Sequence, residues 1–156
     1  MAEGIAAEAV TGWFAAHDPV ATPPLRFEPI SGGHSNLTYL VTDAAGRRYV
    51  LRRPPLGPLL PSAHDMGREH RVIDALGPTP VPVPSVVGLC TDESVNGSPF
   101  YVMHFTDGVV LRDPKAVATV PEPVRAAAAT ALVDGLVALH DLVPDEVGLG
   151  QLGRQD

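Results

Sequence analysis

Alternating apolar and polar positions predict a β-hairpin in the first third of the chain. In residues 37–42 every second residue is large and apolar, and Tyr49 and Leu51 repeat this spacing within 47–53. A period of two places such residues on one face of a strand. The intervening Asp-Ala-Ala-Gly at 43–46 is a turn signal. We therefore expect two antiparallel strands joined at this turn.

Three further stretches have strand character. Residues 25–30 precede the hairpin, and residues 85–91 and 100–105 form a second candidate β pair around 92–99. The proline-rich segment 54–61 must be a loop. The pattern predicts an α+β fold with a mostly antiparallel sheet of about five strands.

Three segments have helical periodicity. Residues 3–16 end before Asp18-Pro19, and residues 124–142 end before Pro144. Between them, Ser62 and Asp65 form an acidic variant of the capping box, which predicts a helix over 63–76 packed against the sheet. A polar break at 106–108 separates the β-rich part from the helical part, which divides the chain into domains 1–105 and 106–156.

Composition narrows the class of protein. The chain has 156 residues, the size of one ordinary domain, and 45% are hydrophobic, which is enough for a core. The sequence contains no apolar run of membrane-spanning length, and its first residues lack the basic start of a secretory signal. One cysteine, Cys90, excludes an internal disulfide framework. We expect a cytoplasmic protein that does not bind a membrane.

Charge is distributed unevenly. The net charge is −7, which argues against general nucleic-acid binding. Residues 47–71 nevertheless hold six arginines against Asp65 and Glu69. Such a basic island suits a small anion, although a solvated surface with chance clustering is equally compatible.

A polar glycine loop lies between two predicted strands. Consecutive glycines let a backbone approach a ligand closely, and hydroxyl, amide and backbone N–H groups bind phosphate oxygens. The loop is neither a P-loop nor a dinucleotide-binding turn, because no helix follows it. Taken alone, the pattern is more typical of an ordinary hairpin loop than of a phosphate-binding loop. Its residues are Ser31, Gly32, Gly33, His34, Ser35 and Asn36.

Arg52 is a charged residue within a predicted strand. A cation there is costly unless it is paired, and Glu69 on the next predicted helix is the natural partner. We predict that the two side chains lie within ion-pair reach. An edge-strand arginine facing water is the alternative, and Arg53 is the better candidate if Arg52 points to the other face.

The last predicted strand runs into extended coil, where unpaired backbone groups can bind a flat heterocycle. The residues concerned are Met103, His104, Phe105 and Thr106, and a plain edge strand is the alternative. The six histidines lack metal-ligand spacing, so we expect no metal site.

The order of these elements resembles the small lobe of a protein-kinase-like fold. The amino-acid sequence resembles the aminoglycoside phosphotransferase and choline kinase-like family, in the branch near the phosphotransferase domains attached to acyl-CoA dehydrogenases. The resemblance covers about residues 20–150. It is carried by ISGGHSNLTYLV, RRYVLRRPPLGPLLPSAHDMGREHRVIDAL, VPVPSVVGLC, SPFYVMHFTDGVVL and LVALHDL.

The resemblance implies a small lobe followed by the first helices of a truncated large lobe. It implies that 31–36 covers the nucleotide phosphates of ATP, that Arg52 replaces the usual phosphate-binding lysine, and that Glu69 is its ion-pair partner. Backbone groups of His104 and Thr106 would meet adenine in a hinge over 103–106. It also implies Mg²⁺ in the full-length family.

The family's His-Gly-Asp catalytic loop and its later magnesium-binding aspartate are missing from these 156 residues. We therefore expect the N-terminal portion of an ATP-dependent phosphotransferase whose full-length form acts on a small-molecule hydroxyl, and which is inactive alone. The alternative is a non-catalytic nucleotide-binding or protein-interaction module. The apolar residues of the 124–142 helix predict self-association.

Overall fold

The structure is a computed structural model that describes residues 2–30, 36–57, 64–111 and 113–153. The described residues form five strands and five helices. In chain order these are α1 (Ala7–His17), β1 (Arg26–Pro29), β2 (Leu37–Thr42), β3 (Arg48–Arg53), α2 (Met66–Leu76), β4 (Val86–Cys90), α3 (Glu93–Asn96), β5 (Phe100–His104), α4 (Pro114–Ala118) and α5 (Glu122–His140).

The five strands form one antiparallel sheet in the order β1-β2-β3-β5-β4. The predicted hairpin is present, with Leu37 opposite Arg53 and Thr42 opposite Arg48. Strand β3 lies at the centre, so its residues have neighbours on both sides. The predicted α+β class and five-stranded antiparallel sheet are confirmed.

The hydrophobic core lies on the face of the sheet that α1 covers. Trp13 meets Phe100 edge to face at 5.1 Å between ring centroids, and Phe14 meets Tyr49 at 5.3 Å. Tyr49 and Leu51 are fully buried there, as their alternation predicts. The helix begins at Ala7, later than the sequence pattern indicates.

Helix α2 begins later than predicted. Its first residue is Met66, and the Asp65 carboxylate accepts a hydrogen bond from the Arg68 amide at 2.9 Å. Asp65 therefore caps the helix. Ser62 and Ala63, which the capping-box pattern favours, lie outside the described residues.

Two short helices are not evident in the hydrophobic pattern. Asp92 caps α3 by accepting from the Ser94 amide, and Asp113 caps α4 by accepting from the Ala116 amide, each at 2.9 Å. These helices span four and five residues, which is too short for a periodic apolar stripe.

The chain divides into two compact units. The first comprises residues 1–74 and 84–105, and the second comprises 75–83 and 106–156. In the second unit, the tail contributes Leu149 and Leu152 to an apolar cavity of about 360 Å³ that Leu139 also lines. No helix in the described part of the chain is long and apolar enough to cross a membrane.

Helix α5 carries large apolar side chains in contact with solvent. Leu132 is 65% exposed and Leu136 is 46% exposed. We predict that the 156-residue chain self-associates through this helix, because apolar surface in water favours association. Replacing both leucines with glutamine is expected to shift the chain toward monomer in sedimentation. A wild-type chain that stays monomeric at high concentration would contradict this.

Candidate functional site

Arg52 lies on the face of the sheet opposite α1. In the register of β3 it stands opposite Thr38 of β2 and Tyr101 of β5. Its Nη2 lies 3.5 Å from Glu69 Oε2, and both side chains are about one third exposed. The predicted proximity of this ion pair is therefore confirmed, while its role toward a ligand stays a prediction.

Glu69 has two hydrogen-bonding partners besides its ionic partner. Its Oε2 accepts a hydrogen bond from the Tyr101 hydroxyl at 3.1 Å, and its Oε1 accepts one from Asn36 Nδ2 at 2.7 Å. Both oxygens of the carboxylate are thus occupied. The side chain of Glu69 on α2 is therefore held by Arg52 on β3, Tyr101 on β5 and Asn36 directly before β2.

Asn36 and His64 extend this network to the positions that flank residues 31–35 and 58–63, which lie outside the described residues. His64 Nδ1 lies 2.6 Å from Asn36 Oδ1. Asn36 is only 7% exposed, and His64 has a φ of 62°, which is uncommon for a residue with a side chain. The network joins the start of β2 to the residue just before the cap of α2.

Arg53 points to the other face of the sheet and is 5% exposed. Its guanidinium donates to the carbonyl oxygens of Gly4, Pro54 and Asn96. Burial lowers the pKa of Arg53. Because its donors are committed to backbone carbonyls, Arg53 is a structural residue, and Arg52 is the cation available near α2.

The remaining arginines of the basic island are dispersed. Arg47 pairs with Asp43 in the hairpin turn at 2.8 Å, and the Arg48 guanidinium lies 4.5 Å from the centre of the Phe105 ring. Arg68 and Arg71 are exposed on α2. The island in the sequence is therefore not a single patch in space.

A cavity of about 350 Å³ lies beside the ion pair. Two guanidinium groups and one carboxylate line it, together with apolar atoms; the residues are Arg52, Arg68, Glu69, Val72, Ile73 and Tyr101. Arg52 Nε is buried and has no hydrogen-bond partner among the described residues. The two cations that line the cavity suit a group with anionic oxygens.

The end of β5 has part of its backbone occupied. The His104 amide donates to the Ser85 carbonyl at 2.8 Å, and the Phe105 amide donates to the Arg48 carbonyl at 3.0 Å. The backbone amide of His104 is thus not free for a ligand. Met103 is half-buried, and Thr106 is exposed.

Parts of the predicted site lie outside the described residues. These are Ser31, Gly32, Gly33, His34 and Ser35, so their place is not described. Across 2–30, 36–57, 64–111 and 113–153, no three metal-binding side chains are grouped.

Sequence reasoning missed Tyr101 and His64. Tyr101 was grouped with a strand, and only its register opposite Arg52 reveals that its hydroxyl reaches Glu69. The alternation within β3 and β5 could have indicated the shared face. Nothing in the sequence pattern pairs His64 with Asn36.

The fold and the ion pair on the central strand define a protein-kinase-like phosphotransferase lobe. The profile of the phosphotransferase enzyme family matches residues 26–156, and the chain belongs to this family. A Ralstonia eutropha crystal structure, described provisionally as an aminoglycoside phosphotransferase, superposes with a TM-score of 0.76 and 33% identity. The match covers 94% of this chain and 41% of that one.

Longer proteins also contain a similar segment. The chain is 44% identical over 140 residues to the Arabidopsis thaliana protein named probable acyl-CoA dehydrogenase IBR3, covering 86% of this chain and 17% of that protein. It is 38% identical over 135 residues to mouse acyl-CoA dehydrogenase family member 10, covering 86% and 12%. The chain thus spans about one sixth or less of these relatives.

We predict that the two neighbouring arginines contribute differently to stability. Arg53→Met leaves buried carbonyl oxygens without donors and should lower the free energy of unfolding by about 2–4 kcal/mol. Arg52→Met should lower it by less than about 1 kcal/mol, because its ion pair is partly exposed. Urea unfolding followed by the fluorescence of Trp13 measures both values. Equal losses would contradict the assignment of the two faces.

We also predict that Glu69 raises the pKa of Tyr101. Burial raises the pKa of Tyr101 to about 12; the charge of Arg52 opposes this rise, and Glu69 adds to it. Glu69→Gln removes a negative charge, so the pKa should fall while burial keeps it above the ordinary 10.0. Carbon NMR of labelled tyrosine rings measures it.

Tyr49 provides the internal control for this titration. Its pKa is also raised to about 12, first by burial and then by Asp18 on the other face of the sheet. Glu69→Gln should leave it unchanged. A Tyr101 pKa that does not move would show that its hydroxyl does not contact Glu69.

Proposed function

We propose that this chain binds the phosphates of ATP and forms the nucleotide-facing part of a phosphotransferase that acts on a small-molecule hydroxyl. Membership of the phosphotransferase enzyme family supports the reaction class. The observation that carries the proposal for this chain is the Arg52–Glu69 pair beside a cavity that Arg68 also lines.

Arg52 is suited to hold phosphate oxygens. A guanidinium stays protonated and presents several donors in a plane, so that two phosphate oxygens are bound at once. Glu69 lies on one side of Arg52, at 3.5 Å from its Nη2. Arg68 adds a second positive charge to the same cavity. The arrangement is suited to orienting an anion.

Bound MgATP would supply the phosphoryl group for transfer. Phosphoryl transfer also requires an acid or base that positions the acceptor, and metal ligands. The 156 residues lack the family's His-Gly-Asp sequence. We therefore assign this chain binding and orientation of the nucleotide. The dehydrogenase activity in the names of the longer relatives is not assigned to it, because the match covers at most 17% of the relatives described above.

The test is calorimetric titration of the 156-residue chain with MgATP. We expect weak binding, with a Kd of about 0.1–1 mM, and no phosphorylation of small alcohols. Arg52→Met should weaken binding about tenfold, since a charge-assisted hydrogen bond contributes about 1.5–3 kcal/mol.

Arg71→Met is the matched control, because Arg71 is exposed on α2 and does not line the cavity. It should bind MgATP like the wild type. Absence of binding by the wild-type chain would contradict the proposed function and favour a protein-interaction module. Phosphorylation of an alcohol by the chain alone would contradict the proposal that this chain only binds and orients the nucleotide.

A further inference from the structure

We propose that Asn36 is a positioning residue whose amide, locked by His64, holds Glu69 in the orientation that pairs with Arg52. This inference rests on the proposed function for its effect on nucleotide binding. The hydrogen bonds that link His64 to Asn36 and Asn36 to Glu69 are a separate claim, which is testable without any ligand.

The ion pair alone does not fix Glu69. The separation of 3.5 Å between Arg52 Nη2 and Glu69 Oε2 is longer than a good charge-assisted hydrogen bond. The shortest contact to the carboxylate is instead the 2.7 Å bond from Asn36 Nδ2. Asn36 is nearly buried and lies directly before β2, so it provides a fixed anchor.

The orientation of the Asn36 amide follows from its neighbours. An ionised carboxylate only accepts hydrogen bonds, so the NH₂ group of Asn36 must face Glu69. Its carbonyl oxygen then faces His64 Nδ1 at 2.6 Å and requires a donor there. His64 must therefore carry a proton on Nδ1, which leaves Nε2 as the free position of the neutral ring.

Both polar ends of the Asn36 side chain are thus committed to protein groups. His64 holds the other end from a left-handed backbone conformation, with φ of 62°. Such a conformation is unfavourable for a residue with a Cβ and persists where the surroundings hold it. The side-chain bond across 28 positions is one such restraint.

Nitrogen NMR of the imidazole rings directly tests the hydrogen bond between His64 Nδ1 and Asn36 Oδ1. We expect the neutral His64 ring to carry its proton on Nδ1 in the wild type and to move it to Nε2 in Asn36→Leu. His17 is the internal control, because its Nδ1 lies 2.8 Å from the Trp13 carbonyl, which also demands a proton there. His17 should keep this tautomer in both proteins. An Nε2 proton on His64 in the wild type would overturn the proposal.

MgATP titration then separates positioning from direct contact. His64→Gly removes the imidazole and relieves the left-handed backbone, so the variant should fold. We expect His64→Gly and Asn36→Leu each to weaken MgATP binding about fivefold or more. The double variant should be no weaker than the weaker single one, because both changes break one chain of contacts.

The outcomes distinguish the two proposals. Loss of affinity in Asn36→Leu with wild-type affinity in His64→Gly would show that Asn36 contacts the ligand itself, and would overturn the inference. Additive losses would also overturn it. If the wild-type chain binds no MgATP, the proposed function fails, and the tautomer of His64 still decides whether the lock exists.

Discussion

A guanidinium on the central strand of the sheet is the constraint on which the site depends. Arg52 lies between Thr38 and Tyr101, where an unpaired charge would lose solvation without compensation. Glu69 of α2 supplies the compensating charge and is held by Tyr101 of β5 and by Asn36 directly before β2. The position of α2 and the register of three strands are thereby tied to one carboxylate.

The two adjacent arginines lie on opposite faces of the sheet and have different partners. Successive residues of a strand point to opposite faces of the sheet. The Arg52 side chain lines a cavity together with residues of α2, whereas the Arg53 side chain donates to the Gly4 carbonyl in the N-terminal segment. Arg53 has backbone carbonyls as partners, which orient a cation without neutralising it. The same side-chain chemistry therefore stabilises one face and leaves a charge available on the other.

Sequence patterns predicted the sheet well because period-two alternation reports burial on one face. The hairpin and the proximity of Arg52 to Glu69 follow from alternation, turn chemistry and the cost of a buried charge. The contacts of Asn36 with His64, and of Tyr101 with Glu69, could not be predicted in this way. They join residues 28 and 32 positions apart, and only strand order and helix placement bring such residues together.

The polar network fixes Glu69 although its contact with Arg52 is longer than a good charge-assisted hydrogen bond. Arg52 Nη2 lies 3.5 Å from Glu69 Oε2, and the buried Arg52 Nε has no hydrogen-bond partner among the described residues. Glu69 satisfies its own hydrogen-bonding capacity through Asn36 and Tyr101 instead. The carboxylate is therefore fixed by neutral donors and acts on Arg52 mainly through its charge. This arrangement orients the cation, and in the proposed function that cation meets the phosphate oxygens of the nucleotide.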